Sequence, residues 1–109
     1  MTRIVITGAC GKMGRVINDI VNTRDDCEIT AGIDIAGEQY ADFPVYKKLF
    51  DLPEKPDVII DFSHPSLLDE LLDYCKINNV PVVIATTGYT DEQIKQIKTA
   101  AGQIPVFFT

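Results

Sequence analysis

Short apolar runs recur along the 109-residue chain, and most give way to segments of helical periodicity. "RIVITG" (3–8), "EITAGID" (28–34), "DVIIDF" (57–62), "PVVIATT" (81–87) and "PVFF" (105–108) have this strand character. Near-continuous apolar runs are expected of parallel strands covered on both faces, because neither side of such a strand meets water. Between residues 35 and 56 the pattern weakens, interrupted by Gly37, Pro44, Pro53 and Pro56, and only a short strand near "PVY" is expected there.

The segments between the runs read as helices. Met13, Val16, Ile17, Ile20 and Val21 share one face at helical spacing. Pro65 suits a first helical turn. Leu68, Leu71, Leu72 and Cys75 then form an apolar stripe that ends near "NN". Thr90 and Gln93 are spaced as a capping box at the head of a third helix, with Ile94, Ile97 and Ala101 on one face and Gly102 at its end. Repeated strand–helix–strand units predict an α/β fold. The expected form is a doubly wound parallel sheet with helices on both faces, a single domain over residues 1–109. Ligands bind such sheets beyond the carboxyl ends of the strands. Gly8 to Gly14, Asp34, Phe62 to His64 and Thr86 to Gly88 all fall there.

Charge and composition narrow the partners. The net charge is −6 and the ten basic residues are scattered, which argues against nucleic acid and anionic membrane surfaces. No apolar run approaches the roughly 20 residues that span a bilayer. The opening "MTRIVITG" enters a strand directly, without the apolar region of a signal peptide, so a cytoplasmic location is expected. Cys10, Cys27 and Cys75 are odd in number, widely separated and without a CxxC pair, which favours reduced thiols. His64 is the one histidine, so a multi-histidine metal site cannot be built, and no metal is expected.

The sharpest local signal is "GACGKMG", which places Gly8, Gly11 and Gly14 three apart at a strand–helix seam. Gly8 can supply a tight turn through positive φ. Gly11 lacks a side chain where a phosphate would crowd one, and Gly14 lets the helix lie close to the sheet. The unpaired N–H groups and positive end of that helix would then face an anion. The spacing alone is a weak signal, since a merely structural turn can share it. Its setting between strand and helix strengthens it. So does Asp34, twenty positions past Gly14 at the end of the second strand, where a carboxylate can take adenosine ribose hydroxyls. A carboxylate there repels a 2′-phosphate. The next residue is Ile35, and no Arg or Lys follows until Lys47. NADH is the preferred cofactor on this reading and NADPH a second, with Lys47, Lys48 or Lys12 able to soften the preference if a loop folds inward.

Taken in order, "GACGKMG", "IIDFSHP", "ATTGYT" and "IPVFFT" resemble the N-terminal nucleotide-binding domain of the 4-hydroxy-tetrahydrodipicolinate reductases. The resemblance covers essentially the whole chain. Its departures are Ala85, where the family's turn begins with glycine, and the missing arginine after Asp34. It implies a Rossmann-like domain of an NAD(P)H-dependent oxidoreductase of lysine and diaminopimelate biosynthesis, reducing a cyclic dicarboxylate. Carried over by position, Gly8, Gly11, Lys12 and Met13 would cradle the pyrophosphate, with Ala9 and Cys10 as further cofactor-binding residues of the turn, and Asp34 would hold the adenosine ribose. Phe62 and Ser63 would line the cofactor groove, Ala85, Thr86 and Thr87 would meet the nicotinamide end, and Thr109 would open the next cofactor-contacting segment. In that family a following region binds substrate, forms homotetramers and carries the catalytic His and Lys. No catalytic residue is therefore expected here, and this chain alone should bind cofactor without turnover.

Plainer readings accompany these. His64 reads as an ordinary loop histidine, Cys10 as a small residue fitting the turn, and the Met13 side chain as core. Asp69, Glu70 and Asp73 read as a solvated face. Two rival functions remain open: a free-standing NAD(H)-sensing module, and the nucleotide domain of another NAD-dependent oxidoreductase.

Overall fold

The computed structural model describes residues 1–108, so Thr109 lies outside the described residues. Its strands are β1 (Thr2–Thr7), β2 (Cys27–Ile33), β3 (Val45–Tyr46), β4 (Val58–Asp61), β5 (Val82–Ile84) and β6 (Val106–Phe108). They form one sheet in the order β3-β2-β1-β4-β5-β6, with every neighbouring pair parallel. This is the doubly wound order expected of a Rossmann-like sheet. The short strand expected near "PVY" is present as β3. The run at 81–87 contributes strand only at Val82–Ile84, so Ala85, Thr86 and Thr87 lie in the loop beyond it.

Three helices complete the fold: α1 (Lys12–Val21), α2 (Leu68–Asn78) and α3 (Asp91–Ala101). A short 3-10 turn, Pro65–Leu67, leads into α2 with Pro65 in its first position. The α2 helix closes at Asn79, which adopts the left-handed conformation (φ 54°). The capping box of α3 is formed. The Thr90 hydroxyl accepts from the Gln93 N–H at 3.2 Å, and the Gln93 side chain accepts from the Thr90 N–H at 3.0 Å. Gly102, beyond it, has ordinary right-handed geometry, and the buried face of α3 carries Ala100 rather than Ala101.

The α2 and α3 helices cover one face of the sheet. Leu68, Leu71, Leu72, Cys75, Ile97 and Ala100 pack there on Val5, Ile59, Val82 and Ile84. On the other face α1 packs Val21 and Ile17 against Ile4 and Ile6. Only part of the predicted apolar face of α1 is buried, Ile17 and Val21. Gly14, Asn18 and Val21 face inward, whereas Met13, Val16 and Ile20 are roughly half exposed. Gly14 explains this rotation. A Cβ on it would lie 2.5 Å from the Ala9 carbonyl oxygen, so α1 turns its glycine, not its larger side chains, to the β1 turn. Met13 is therefore not core. This face is covered unevenly: the in-register row Ile6, Ile60, Val83 and Phe107 runs from fully buried to 64% exposed. Among the described residues no helix is long and apolar enough to cross a membrane, and all three cysteines are free.

Candidate functional site

Two hollows run along the carboxyl ends of the strands and share Gly8, Gly11, Phe62, Ser63 and His64 as walls. One, of about 490 Å³, extends past Asp34, Ile35, Lys47 and Lys48 to Leu67 and Leu71. The other, of about 380 Å³, extends past Lys12 and Met13 to Ala85, Thr86 and Thr87. They form the two ends of one groove, with the glycine turn and the loop after β4 at its middle. A larger hollow of about 560 Å³ lies at the opposite end of the sheet, beside Met1 and Glu28. It lies by the last turn of α1 rather than a helix start, and neither the glycine turn, Asp34 nor the loops after β4 and β5 line it, so the groove is the chemically equipped site.

The turn at the middle is held open by its glycines. Gly8 has φ +69°, and a Cβ there would lie 2.5 Å from the Phe62 carbonyl oxygen, so only glycine fits. Gly11 is different. Its φ of −77° and ψ of 175° suit any residue, and a Cβ would meet nothing closer than the Gly8 carbonyl oxygen at 3.3 Å. The space its missing side chain leaves is therefore available to something outside the chain. Gly11 is also the N-cap of α1, with no side chain to cap it and no acidic residue in the first turn. The hydrogen-bond ladder starts with the Arg15 N–H donating to the Gly11 carbonyl at 3.2 Å. The leading N–H groups of Lys12, Met13 and Gly14 are left for another acceptor, at the positive end of the helix.

Asp34 follows β2 and is tied to this turn. Its Oδ2 accepts from the Cys10 N–H at 3.0 Å and its Oδ1 from the Ala36 N–H at 3.0 Å. Each oxygen keeps a second lone pair for a ligand hydroxyl. The loop beyond Asp34 is clasped over the turn. The Cys10 thiol lies 3.2 Å from the Glu38 carbonyl oxygen, and the Arg15 guanidinium stacks 4.1 Å above the Tyr40 ring. Lys47 and Lys48 stand far from Asp34 in sequence yet wall the same hollow.

Beneath the groove lies Asp61, the last residue of β4 and 1% exposed. It is hydrogen-bonded by Thr7, Ser63, Thr86 and Tyr89. Burial and the nearby Asp61 carboxylate push the Tyr89 phenol up to about 12. The sequence reading did not single out Asp61. Its signal was present, as a carboxylate closing the apolar run "DVIID", but its hydroxyl partners come from other strand ends that only the sheet order brings together.

The remaining predicted residues are placed as follows. Gly8, Gly11, Lys12, Met13, Asp34, Phe62, Ser63, Ala85, Thr86 and Thr87 wall the groove. Ala9 is fully buried in the core under the turn, and Cys10 is engaged with Asp34 and Glu38; neither walls the groove. Ala85 does not adopt positive φ, so its Cβ is unstrained. His64 walls both ends, with its Nδ1 accepting from the Ser66 N–H at 3.0 Å. Asp69 and Asp73 are exposed as expected. Glu70 is not; it walls the hollow beside Asp34, with Oε1 shielded from solvent. No group of three or more His, Cys, Asp or Glu side chains that could hold a metal ion occurs among the described residues.

Comparison with known proteins agrees with this architecture. The family model described as "Dihydrodipicolinate reductase, N-terminus" matches residues 2–109. A 4-hydroxy-tetrahydrodipicolinate reductase of Clostridium novyi (strain NT) is 40% identical over 107 residues, covering 98% of this chain and 42% of the relative. The enzyme of the same name from Clostridium tetani (strain Massachusetts / E88) is 39% identical over the same shares. Among solved structures, the dipicolinate-bound dihydrodipicolinate reductase from Paenisporosarcina sp. TG-14 superposes with a TM-score of 0.77 at 34% identity. That match covers 93% of this chain and 43% of that one. The chain thus spans about 42% of the length of these curated relatives. With the family model matched over residues 2–109 and a relative 40% identical across 98% of the chain's length, this chain belongs to the dihydrodipicolinate reductase family and corresponds to its N-terminal domain.

Proposed function

We propose that this chain is the nicotinamide-dinucleotide-binding half of a 4-hydroxy-tetrahydrodipicolinate reductase of lysine and diaminopimelate biosynthesis, working in the cytoplasm. The observation that carries the reading is the uncapped start of α1, which opens onto the same groove as Asp34 and the loops after β4 and β5. The groove residues fit such a ligand. The N–H groups of Lys12, Met13 and Gly14 and the space at Gly11 suit a pyrophosphate, and the free lone pairs of Asp34 suit the adenosine ribose. Ile35, Leu67 and Leu71 give the adenosine end an apolar wall. The loops of Ser63 and Ala85 to Thr87 would hold the nicotinamide end, and Thr109 would lead toward the next contact. When bound, the nicotinamide supplies a hydride for reduction of a cyclic dicarboxylate.

NADH is preferred over NADPH, because the Asp34 carboxylate sits where a 2′-phosphate would lie. Lys47 and Lys48, on the same hollow, keep NADPH acceptable as a second cofactor. Residues 1–109 act as the dinucleotide-binding domain. Substrate capture, proton donation and homotetramer formation belong to a region following it in the whole protein, so this chain binds cofactor with negligible turnover. Calorimetric titration with NADH, NADPH and ADP-ribose tests this. Saturable heat with all three, tightest for NADH, is the expected result. Absence of heat with every one of them overturns the reading, and NADH oxidation by this chain with freshly generated substrate overturns the division of labour.

A further inference from the structure

Three loops of the groove meet on one carboxylate. Asp61 Oδ1 accepts from the Thr7 hydroxyl at the end of β1 and from the Ser63 hydroxyl at 2.5 Å, with the Ser63 N–H at 3.3 Å. Its Oδ2 accepts from the Thr86 hydroxyl at 2.9 Å and from the Tyr89 phenol at 3.3 Å. A carboxylate with almost no exposed surface keeps its place only when its lone pairs are filled, and here hydroxyls from three segments fill them. The Thr86 hydroxyl also lies 3.1 Å from the Ser63 carbonyl oxygen, which brings the two loops edge to edge.

These contacts change what Ser63 and Thr86 can offer a ligand. Their hydroxyls are turned inward and engaged, and Thr86 is only 6% exposed. The position of both residues in the groove wall depends on the buried carboxylate. The adenosine end has an independent anchor, because Asp34 is fixed by the Cys10 and Ala36 N–H groups and not by Asp61.

We propose that Asp61 is a positioning residue for the nicotinamide end of the groove: by accepting from Ser63, Thr86 and Tyr89 it sets the spacing of the two loops between which the nicotinamide ring rests. With 1% of its surface exposed, it acts through these loops rather than as a ligand itself. The inference rests on the nucleotide-binding reading above and adds to it a division of the groove into two separately anchored ends. Asparagine at this position would present two N–H donors to partners that are themselves hydroxyl donors, so the Ser63 and Thr86 hydroxyls must reorient and the loops separate.

Titrating Asp61→Asn and Thr86→Val with NADH and with ADP-ribose, which lacks the nicotinamide, is the test. Asp61→Asn is expected to weaken NADH by about tenfold, the worth of one lost hydrogen bond to a charged group, while ADP-ribose stays within about threefold. The rise in nicotinamide fluorescence at saturation should shrink as well, and the double variant should be no worse than Asp61→Asn alone. A merely structural role predicts equal weakening of both ligands with unchanged fluorescence at saturation, and that result overturns the proposal. Should Asp61→Asn not fold, Thr86→Val and Tyr89→Phe each remove one donor and carry the same comparison. Loss confined to NADH supports positioning, and equal effects or none overturn it. Failure of the unsubstituted chain to bind ADP-ribose sinks the nucleotide reading itself. Unchanged NADH to ADP-ribose ratios across the variants sink only the role of Asp61.

Discussion

Replacing Gly11 by Ala separates a structural glycine from one that leaves room for a ligand. Its backbone (φ −77°, ψ 175°) accepts an L side chain without strain. The added methyl meets only the Gly8 carbonyl oxygen at 3.3 Å, a contact relieved by a shift of a few tenths of an ångström. Alanine is a poorer N-cap than glycine by roughly 0.5–1 kcal/mol. Removing a glycine from the unfolded chain returns about 0.4–1 kcal/mol. The two offset, so stability should change by less than about 1 kcal/mol, which is about 4 °C in Tm for a domain of this size. Binding should respond differently. A methyl at the helix entrance excludes a phosphate oxygen from the Lys12 and Met13 N–H groups, and one charge-assisted hydrogen bond is worth about 1.5–3 kcal/mol. A loss of about 2 kcal/mol weakens NADH roughly 30-fold. Calorimetric titration, paired with a thermal melt followed by circular dichroism, reads both quantities. NADH affinity within about threefold of the parent would refute the placement of a pyrophosphate at this turn.

Gly14→Ala should do the reverse of what helix propensity suggests. Alanine is about 1 kcal/mol better inside a helix, but its Cβ would sit 2.5 Å from the Ala9 carbonyl oxygen. Overpacking of about 1–3 kcal/mol outweighs the gain, so denaturant melts should show a less stable chain, and a more stable one would refute the close contact. Asp34→Ala should weaken NADH about tenfold through the lost ribose hydrogen bonds while leaving NADPH unchanged or improved; equal losses for both coenzymes in parallel titrations would remove the ribose role. Burial pushes the Cys75 thiol from about 9 up to about 12, so the folded chain holds that proton where the unfolded chain releases it. Stability from this group is complete below about pH 9 and falls as pH rises toward 12, by up to roughly 1.4 kcal/mol per pH unit. Cys75→Ala should flatten that fall in melts recorded across the range, and an unchanged slope would assign it to other groups.

The apolar runs identified strands because a parallel strand covered on both sides has no wet face, and that condition is written residue by residue. The capping box at Thr90 and Gln93 was legible for the same reason: its bonds are local. So were Gly8 and Asp34 as parts of one site, since a strand–turn–helix unit carries its own geometry. Met13, Val16 and Ile20 on α1 were misjudged because an apolar pattern ranks side chains by hydrophobicity, whereas the closest approach to the turn after β1 is made by Gly14, the glycine already expected to bring the helix close. Glu70 looked solvated on its helix and instead walls the hollow beside Asp34.

From its sequence alone this protein determined its α/β alternation, its glycine turn and the family to which it belongs, because each depends on neighbours along the chain. Tertiary structure decided which way α1 faces, that Lys47 and Lys48 share a hollow with Asp34, and that Thr7, Ser63, Thr86 and Tyr89 converge on Asp61. Those depend on strand order, which places residues far apart in the chain side by side, and no local pattern encodes that distance.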